Sequence, residues 1–218
     1  MVTNFDAADQ IGRASTSEAP GLQLSIREFV RRPNLVGSAF PASRHLVETL
    51  LRPVDWTKAR VVVEYGPGTG PITRAILARM PRDSRLVAID VSQRFTRHLR
   101  RTIDDPRLLA VTACASSATA ILGDHGLGPA DLIVSGIPFS TISPEQGGRI
   151  LDISAQILPD NGLFLAYQMR STIAPMLAER FGHVRKSHVW LNIPPCHLYW
   201  AQTPNRNDQS PGRHKTSR

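Results

Sequence analysis

The 218-residue chain has two cysteines, three lysines (Lys58, Lys186 and Lys215) and 6% aromatic residues. It has no run approaching the ~18 to 20 apolar residues that a bilayer-spanning helix needs. Cys114 and Cys196 stand alone, which excludes a disulfide framework or a cysteine-based zinc cluster and fits small buried thiols in a reducing compartment. The seven histidines, His45, His98, His125, His183, His188, His197 and His214, fall in no paired metal spacing, so no metal is expected. Residues 1–20 are polar and lack a signal-peptide core. The expected location is the cytoplasm.

What is plentiful is arginine. Lysine and arginine total 26 against 18 acids, giving a formal charge of +8. Such an excess suits an anionic partner, either a nucleic acid or an anionic membrane surface. Composition does not choose between them.

The most informative stretch runs Val61-Val62-Val63-Glu64-Tyr65-Gly66-Pro67-Gly68-Thr69-Gly70-Pro71. The β-branched run reads as a buried parallel strand. The three alternating glycines let the following turn bring backbone against a ligand, since none carries a Cβ. Residues 72–80 then read as a helix, and residues 85–90 as a second strand ending in Asp90. A carboxylate there can accept hydrogen bonds from both ribose hydroxyls of a nucleoside. The spacing differs from the G-x-G-x-x-G of dinucleotide sites. It resembles motif I of the class I S-adenosylmethionine methyltransferases, whose glycines accommodate the amino acid end of the cofactor. The resemblance implies cofactor contacts from Glu64, Tyr65, Gly66, Gly68, Gly70, Asp90, Val91, Cys114, Ala115 and Ser135.

Residues 1–21 and 203–218 are polar and read as tails around one domain, 22–202. Helices are expected over 22–32, 44–51, 93–103, 116–122, 144–158 and 171–181. Further strands are expected over 108–112, 131–135, 163–168, 183–191 and 196–202. The alternation indicates an α/β fold with a mainly parallel sheet covered on both faces. The last two strands are too close for a helical crossover and must pair antiparallel. The methyltransferase resemblance implies the same Rossmann-like architecture, seven strands ending in an antiparallel hairpin, with N-terminal lid helices.

The fourth strand leads into Ser135-Gly136-Ile137-Pro138-Phe139. In an open α/β sheet the ligand lies beyond the carboxyl ends of the strands, so this turn should face the acceptor. Adenine-N6 methyltransferases place Asn or Asp where Gly136 stands, to hold the amino nitrogen, and follow it with a stacking aromatic. Glycine offers no such side chain. The segment after the third strand reads Thr112-Ala113-Cys114-Ala115-Ser116, where this group usually carries an acid near the adenine. Backbone groups of Cys114 or Ala115, or the Ser116 hydroxyl, are the available substitutes.

Two further segments, Phe29-Val30-Arg31-Arg32-Pro33-Asn34-Leu35-Val36-Gly37-Ser38 and Asn192-Ile193-Pro194-Pro195-Cys196-His197-Leu198-Tyr199, complete a pattern over residues 22–201. With motif I and the Ile-Pro-Phe turn they resemble the bacterial phospholipid N-methyltransferases, which convert phosphatidylethanolamine to phosphatidylcholine, and related ribosomal RNA adenine dimethylase-like proteins. The resemblance implies substrate contacts from Ser38, Ile137, Pro138, Phe139 and Tyr199. Leu22, Ile26, Phe29 and Val30 share one helical face, with Arg27, Arg31 and Arg32 around the other, so this helix either lies in an anionic headgroup plane or packs as a lid. The membrane reading makes Ile26, Arg27, Phe29, Val30 and Arg31 contacts and places the protein peripherally on the inner membrane face. An RNA adenine methyltransferase is the alternative enzyme, and a non-enzymatic membrane- or nucleic-acid-binding protein with a degenerate cofactor fold is the alternative outside enzymes.

Overall fold

A computed structural model describes residues 42–192 and 195–205. The helix expected over 22–32, the residue Ser38 and most of both tails lie outside the described residues. Seven strands form one sheet: β1 Val61–Tyr65, β2 Arg85–Asp90, β3 Leu108–Thr112, β4 Leu132–Ser135, β5 Leu163–Gln168, β6 His183–Val189 and β7 Cys196–Gln202. Their order is β3-β2-β1-β4-β5-β7-β6. The first five strands are parallel, while β7 runs antiparallel to both β5 and β6. The expected α/β architecture and its antiparallel end are therefore observed, with β7 between β5 and β6.

Strand alternation divides the apolar residues between two layers. Val63 and Tyr65 of β1 face the layer of α4 (Ala118–Asp124), α5 (Pro144–Ile157) and α6 (Ile173–Arg180), where Ile121, Ile150, Leu151 and Leu177 are buried. Val62 faces α1 (Arg44–Leu51) and α2 (Pro71–Leu77), which contribute Leu46, Leu50, Ile72 and Ile76. Leu99 of α3 (Gln93–Thr102) packs on Ala88 and Ala110 at the β2–β3 edge.

Local chemistry sets the helix ends. Ser43 and Ser143 accept hydrogen bonds from the Leu46 and Gln146 amides, and Pro144 occupies the first turn of α5, where its missing N–H costs nothing. The helix expected over 72–80 closes at Leu77. Its exit is held by Arg107, which donates to the carbonyls of Leu77 (2.8 Å), Met80 (2.8 Å) and Pro81 (3.2 Å) while paired with Asp105. The strand expected to run to 191 stops at Val189, because Val189 opposite Cys196 is the last pair of the ladder. The helix expected over 116–122 begins as a 3-10 turn, Ala115–Ser117, and continues as α4.

Arg107 joins three carbonyls and a carboxylate in a half-buried setting, so Arg107→Met is expected to lower stability by about 2 to 3 kcal/mol. The exposed Arg149–Glu145 pair on α5 offers the contrast, with Arg149→Met expected to cost less than about 1 kcal/mol. Urea unfolding of the two variants measures the difference.

Candidate active site

The turns after β1 and β4 leave the sheet side by side. Gly66 N–H donates to Ile89 O (2.9 Å) and Gly136 N–H to Tyr65 O (2.8 Å), so the ladder continues one residue past each strand. A Cβ added to Gly136 would overlap the Tyr167 hydroxyl and come within 2.9 Å of the Gly66 carbonyl oxygen. Gly70, with φ of 89°, opens α2, and a Cβ there would lie 2.6 Å from Leu99 Cδ2. Gly136 is required by the backbone that faces it, and Gly70 by its backbone angle.

These turns floor a cleft enclosing about 820 Å³, part of it open to solvent. Gly66 and Gly68 form one side and Asp90 and Val91 the next. Ala113, Cys114 and Ala115 continue the wall, and Gly136, Ile137 and Pro138 close it. Phe95 from α3 and Gln146 and Ile150 from α5 complete a largely apolar lining.

One carboxyl, Asp90, stands on this wall, and a second, Glu64, lies behind it. Asp90 is 6% exposed; Oδ1 accepts from Ser92 N–H (2.8 Å) and Oδ2 from Gly68 N–H (3.3 Å). Burial pushes its pKa up to about 6 against the pull of those two bonds. Glu64 is buried beneath the turn, with its pKa pushed up to about 8, chiefly by burial and further by Asp90. Thr73 opposes that rise from the neighbouring helix, yet neither Glu64 Oε2 nor the Thr73 hydroxyl has a partner within hydrogen-bond geometry.

Of the residues expected at the site, Gly66, Gly68, Asp90, Val91, Cys114, Ala115, Ile137 and Pro138 stand on the wall. Glu64, Gly70 and Ser135 lie behind it as supports; Ser135 is fully buried, its hydroxyl accepting from Ile137 N–H at 3.4 Å. Tyr65, Phe139 and Tyr199 are core residues instead. Strand parity turns the Tyr65 and Tyr199 rings into the α4–α6 layer, and Phe139 is buried in that layer too. The Tyr65 hydroxyl meets Ser154 Oγ at 3.4 Å. Ser116 donates to Cys114 Sγ at 3.1 Å and is not on the wall, which at this place is made of Ala113, Cys114 and Ala115.

Sequence reasoning missed two residues that shape the turn after β4, both behind the cleft wall. Gln168, 4% exposed, donates to Ile137 O (2.7 Å) and accepts from Phe139 N–H (3.2 Å), bracing the turn after β4. Tyr167 directs its hydroxyl at Gly136, and burial together with Glu64 raises its pKa, so the phenol stays neutral. The only sequence signal for either was polar chemistry at the carboxyl end of a parallel strand.

A Rossmann-like sheet with a glycine turn and a ribose-type acid defines a nucleoside-cofactor enzyme. The chain belongs to the methyltransferase small domain family, which it matches over residues 38–189. It is 30% identical to an ornithine lipid N-methyltransferase of Singulisphaera acidiphila over 82% of this chain and 94% of that protein. A ribosomal RNA methyltransferase of Streptomyces thermotolerans is 39% identical over 38% of this chain and 27% of that one. The fold is shared with the N-methyltransferase NodS of Bradyrhizobium japonicum, solved with S-adenosyl-L-homocysteine, at a TM-score of 0.62 and 19% identity over 84% of this chain and 98% of that one. Family membership makes the chain a methyltransferase, with S-adenosylmethionine as its cofactor.

Glu64 and Asp90 both bind their protons more tightly folded than unfolded. Between about pH 4 and about pH 8 the folded state therefore holds more protons, and the stability these two groups contribute falls as pH rises. Urea unfolding of ligand-free protein should show that decline, and Glu64→Gln should remove most of it between about pH 6 and about pH 8. An unchanged slope in the variant would assign the decline to other groups.

Proposed function

We propose that the protein methylates the primary amine of a membrane-lipid headgroup, with phosphatidylethanolamine or an ornithine lipid as acceptor. The reading is carried by the similarity to the ornithine lipid enzyme, which extends over nearly the whole of that relative. S-adenosylmethionine is the methyl donor, and the cleft suits it: Asp90 for the ribose hydroxyls, the Gly66 and Gly68 turn with Glu64 beneath for the amino acid end, and the backbone of Ala113 to Ala115 beside the adenine. When bound, it supplies a methyl group already activated on a sulfonium. The protein's share is to hold the amine in line, exclude water and let the product's proton leave.

Tyr167 is assigned to the acceptor side. Its hydroxyl faces Gly136, where a base-modifying enzyme would project Asn or Asp, and a neutral phenol oxygen accepts a hydrogen bond from an amine. The basic charge and the partial similarity to ribosomal RNA methyltransferases favour a second reading, adenine methylation in RNA. Gly136 opposes it. The space an amide side chain would need is filled by Tyr167 and the Gly66 carbonyl. The protein would then act as a peripheral enzyme on an anionic membrane face.

Lipids extracted from bacteria expressing the protein test the proposal by mass spectrometry. Amine headgroups carrying one to three added methyl groups are expected, and an unaltered lipid profile would count against it. Asp90→Ala should weaken S-adenosylhomocysteine binding by about 1.5 to 3 kcal/mol in calorimetric titration, the range for a hydrogen bond to a charged group. Tyr167→Phe should leave that affinity intact while lowering kcat about tenfold, the scale of losing one neutral hydrogen bond to the acceptor.

A further inference from the structure

The three large apolar side chains most exposed among the described residues are Trp190 (77%), Leu191 (75%) and Met169 (41%). They share one edge of the sheet. β6 runs parallel to β5, because each is antiparallel to β7, and His188 and Gln168 both pair with His197. Met169 follows Gln168, and Trp190 and Leu191 follow the last pair of β6, so all three project where the parallel strands end and the cleft opens. From β4 to β6 is three strand spacings, about 14 Å.

Two arginines, Arg44 and Arg170, stand beside this tip. The one carboxylate of residues 161–205, Glu179, lies at the end of α6, where β6 begins, away from the tip. Glu179 is paired with Arg180 on α6. Arg170 adjoins Met169. Arg44 adjoins Ser43, whose N–H donates to Asn192 Oδ1 (2.9 Å) and so fixes the start of α1 to the hairpin tip. Neither Arg44 nor Arg170 has a carboxylate partner within ion-pair distance among the described residues. The Trp190 ring is propped against His188, with centroids 4.1 Å apart, and projects beyond the ladder.

We infer that the β6–β7 tip, with Trp190 and Leu191 at its apex and Met169 beside it, is a membrane-docking element that seats the cleft on an anionic lipid surface. Tryptophan prefers the bilayer interface, where its ring is in apolar surroundings and its N–H stays wet. Leucine gains from burial among acyl chains, and the flanking arginines meet lipid phosphates. No helix among the described residues is long and apolar enough to cross a membrane, so contact through such a tip is surface docking. A lipid held at the tip lies about 14 Å across the sheet from the turn that carries Ile137 and Pro138. The inference rests on the lipid-acceptor reading and adds to it the surface that presents the lipid.

The test uses the full chain with vesicles of phosphatidylglycerol and phosphatidylethanolamine, some carrying brominated acyl chains. The difference spectrum between wild type and Trp190→Phe isolates this indole from Trp56 and Trp200. Its emission should shift to the blue and be quenched by the brominated lipid. Trp190→Ser combined with Leu191→Ser should weaken vesicle binding about tenfold or more, and release by salt should persist in what binding remains. Thermal midpoint and S-adenosylhomocysteine affinity should not move, since both side chains are exposed. Vesicle binding with a silent Trp190 and an unimpaired double variant would overturn the inference and leave the lipid acceptor standing. An indole already blue-shifted without lipid and insensitive to vesicles would also overturn it, showing the tip covered by another part of this chain or a second copy. Failure to bind vesicles while lipid in detergent micelles is methylated would overturn it as well. Quenching of Trp190 without methylation of either lipid would uphold the docking surface and reject the acceptor reading.

Discussion

The contact on which the rest of the site depends is the close approach of the turns after β1 and β4. Gly136 lies against the Gly66 carbonyl and under the Tyr167 hydroxyl with no room for a Cβ. The backbone bonds from Gly66 to Ile89 and from Gly136 to Tyr65 hold the two turns at that distance. Gln168 braces the second turn from β5. The close approach leaves a backbone floor under the cleft and no room for a side chain at Gly136. One spacing thus sets the floor of the cleft and the backbone that lines it.

The polar groups around that floor are arranged for a ligand rather than for stability. Glu64 is buried with one oxygen unpartnered, and Asp90 has its pKa raised despite two backbone donors. A buried carboxyl without a full set of donors is a cost to the empty fold, and a ligand that brings donors offsets it. Arg107 does the opposite. It satisfies three carbonyls and a carboxylate at the far end of α2, away from the cleft, where its effect is on the fold alone.

Much of this was legible in the sequence because the signals were local. The strands over 85–90, 108–112, 163–168 and 196–202 fall where their apolar runs fall, and the glycine turn and Asp90 come to the cleft as their spacing implies. Side-chain direction was less legible. Tyr65 and Tyr199 read as site residues because they lie in motifs, but strand alternation turns both into the core, while Tyr167, unremarkable in sequence, faces Gly136. Parity depends on where a strand's pairing starts and which face is buried, and neither is written in a short motif. The exposure of Trp190 and Leu191 was hidden for a related reason: the apolar run continues to 191, but the ladder ends at Val189.

The central claim is that this cleft presents a lipid amine, not a nucleobase, to the activated methyl. Its most direct test supplies both acceptors to purified protein in one reaction, amine lipids in mixed micelles and ribosomal RNA, with the cofactor labelled on its methyl group. The account predicts label in mono-, di- and trimethylated lipid and none in RNA. Label in RNA with none in lipid would contradict it.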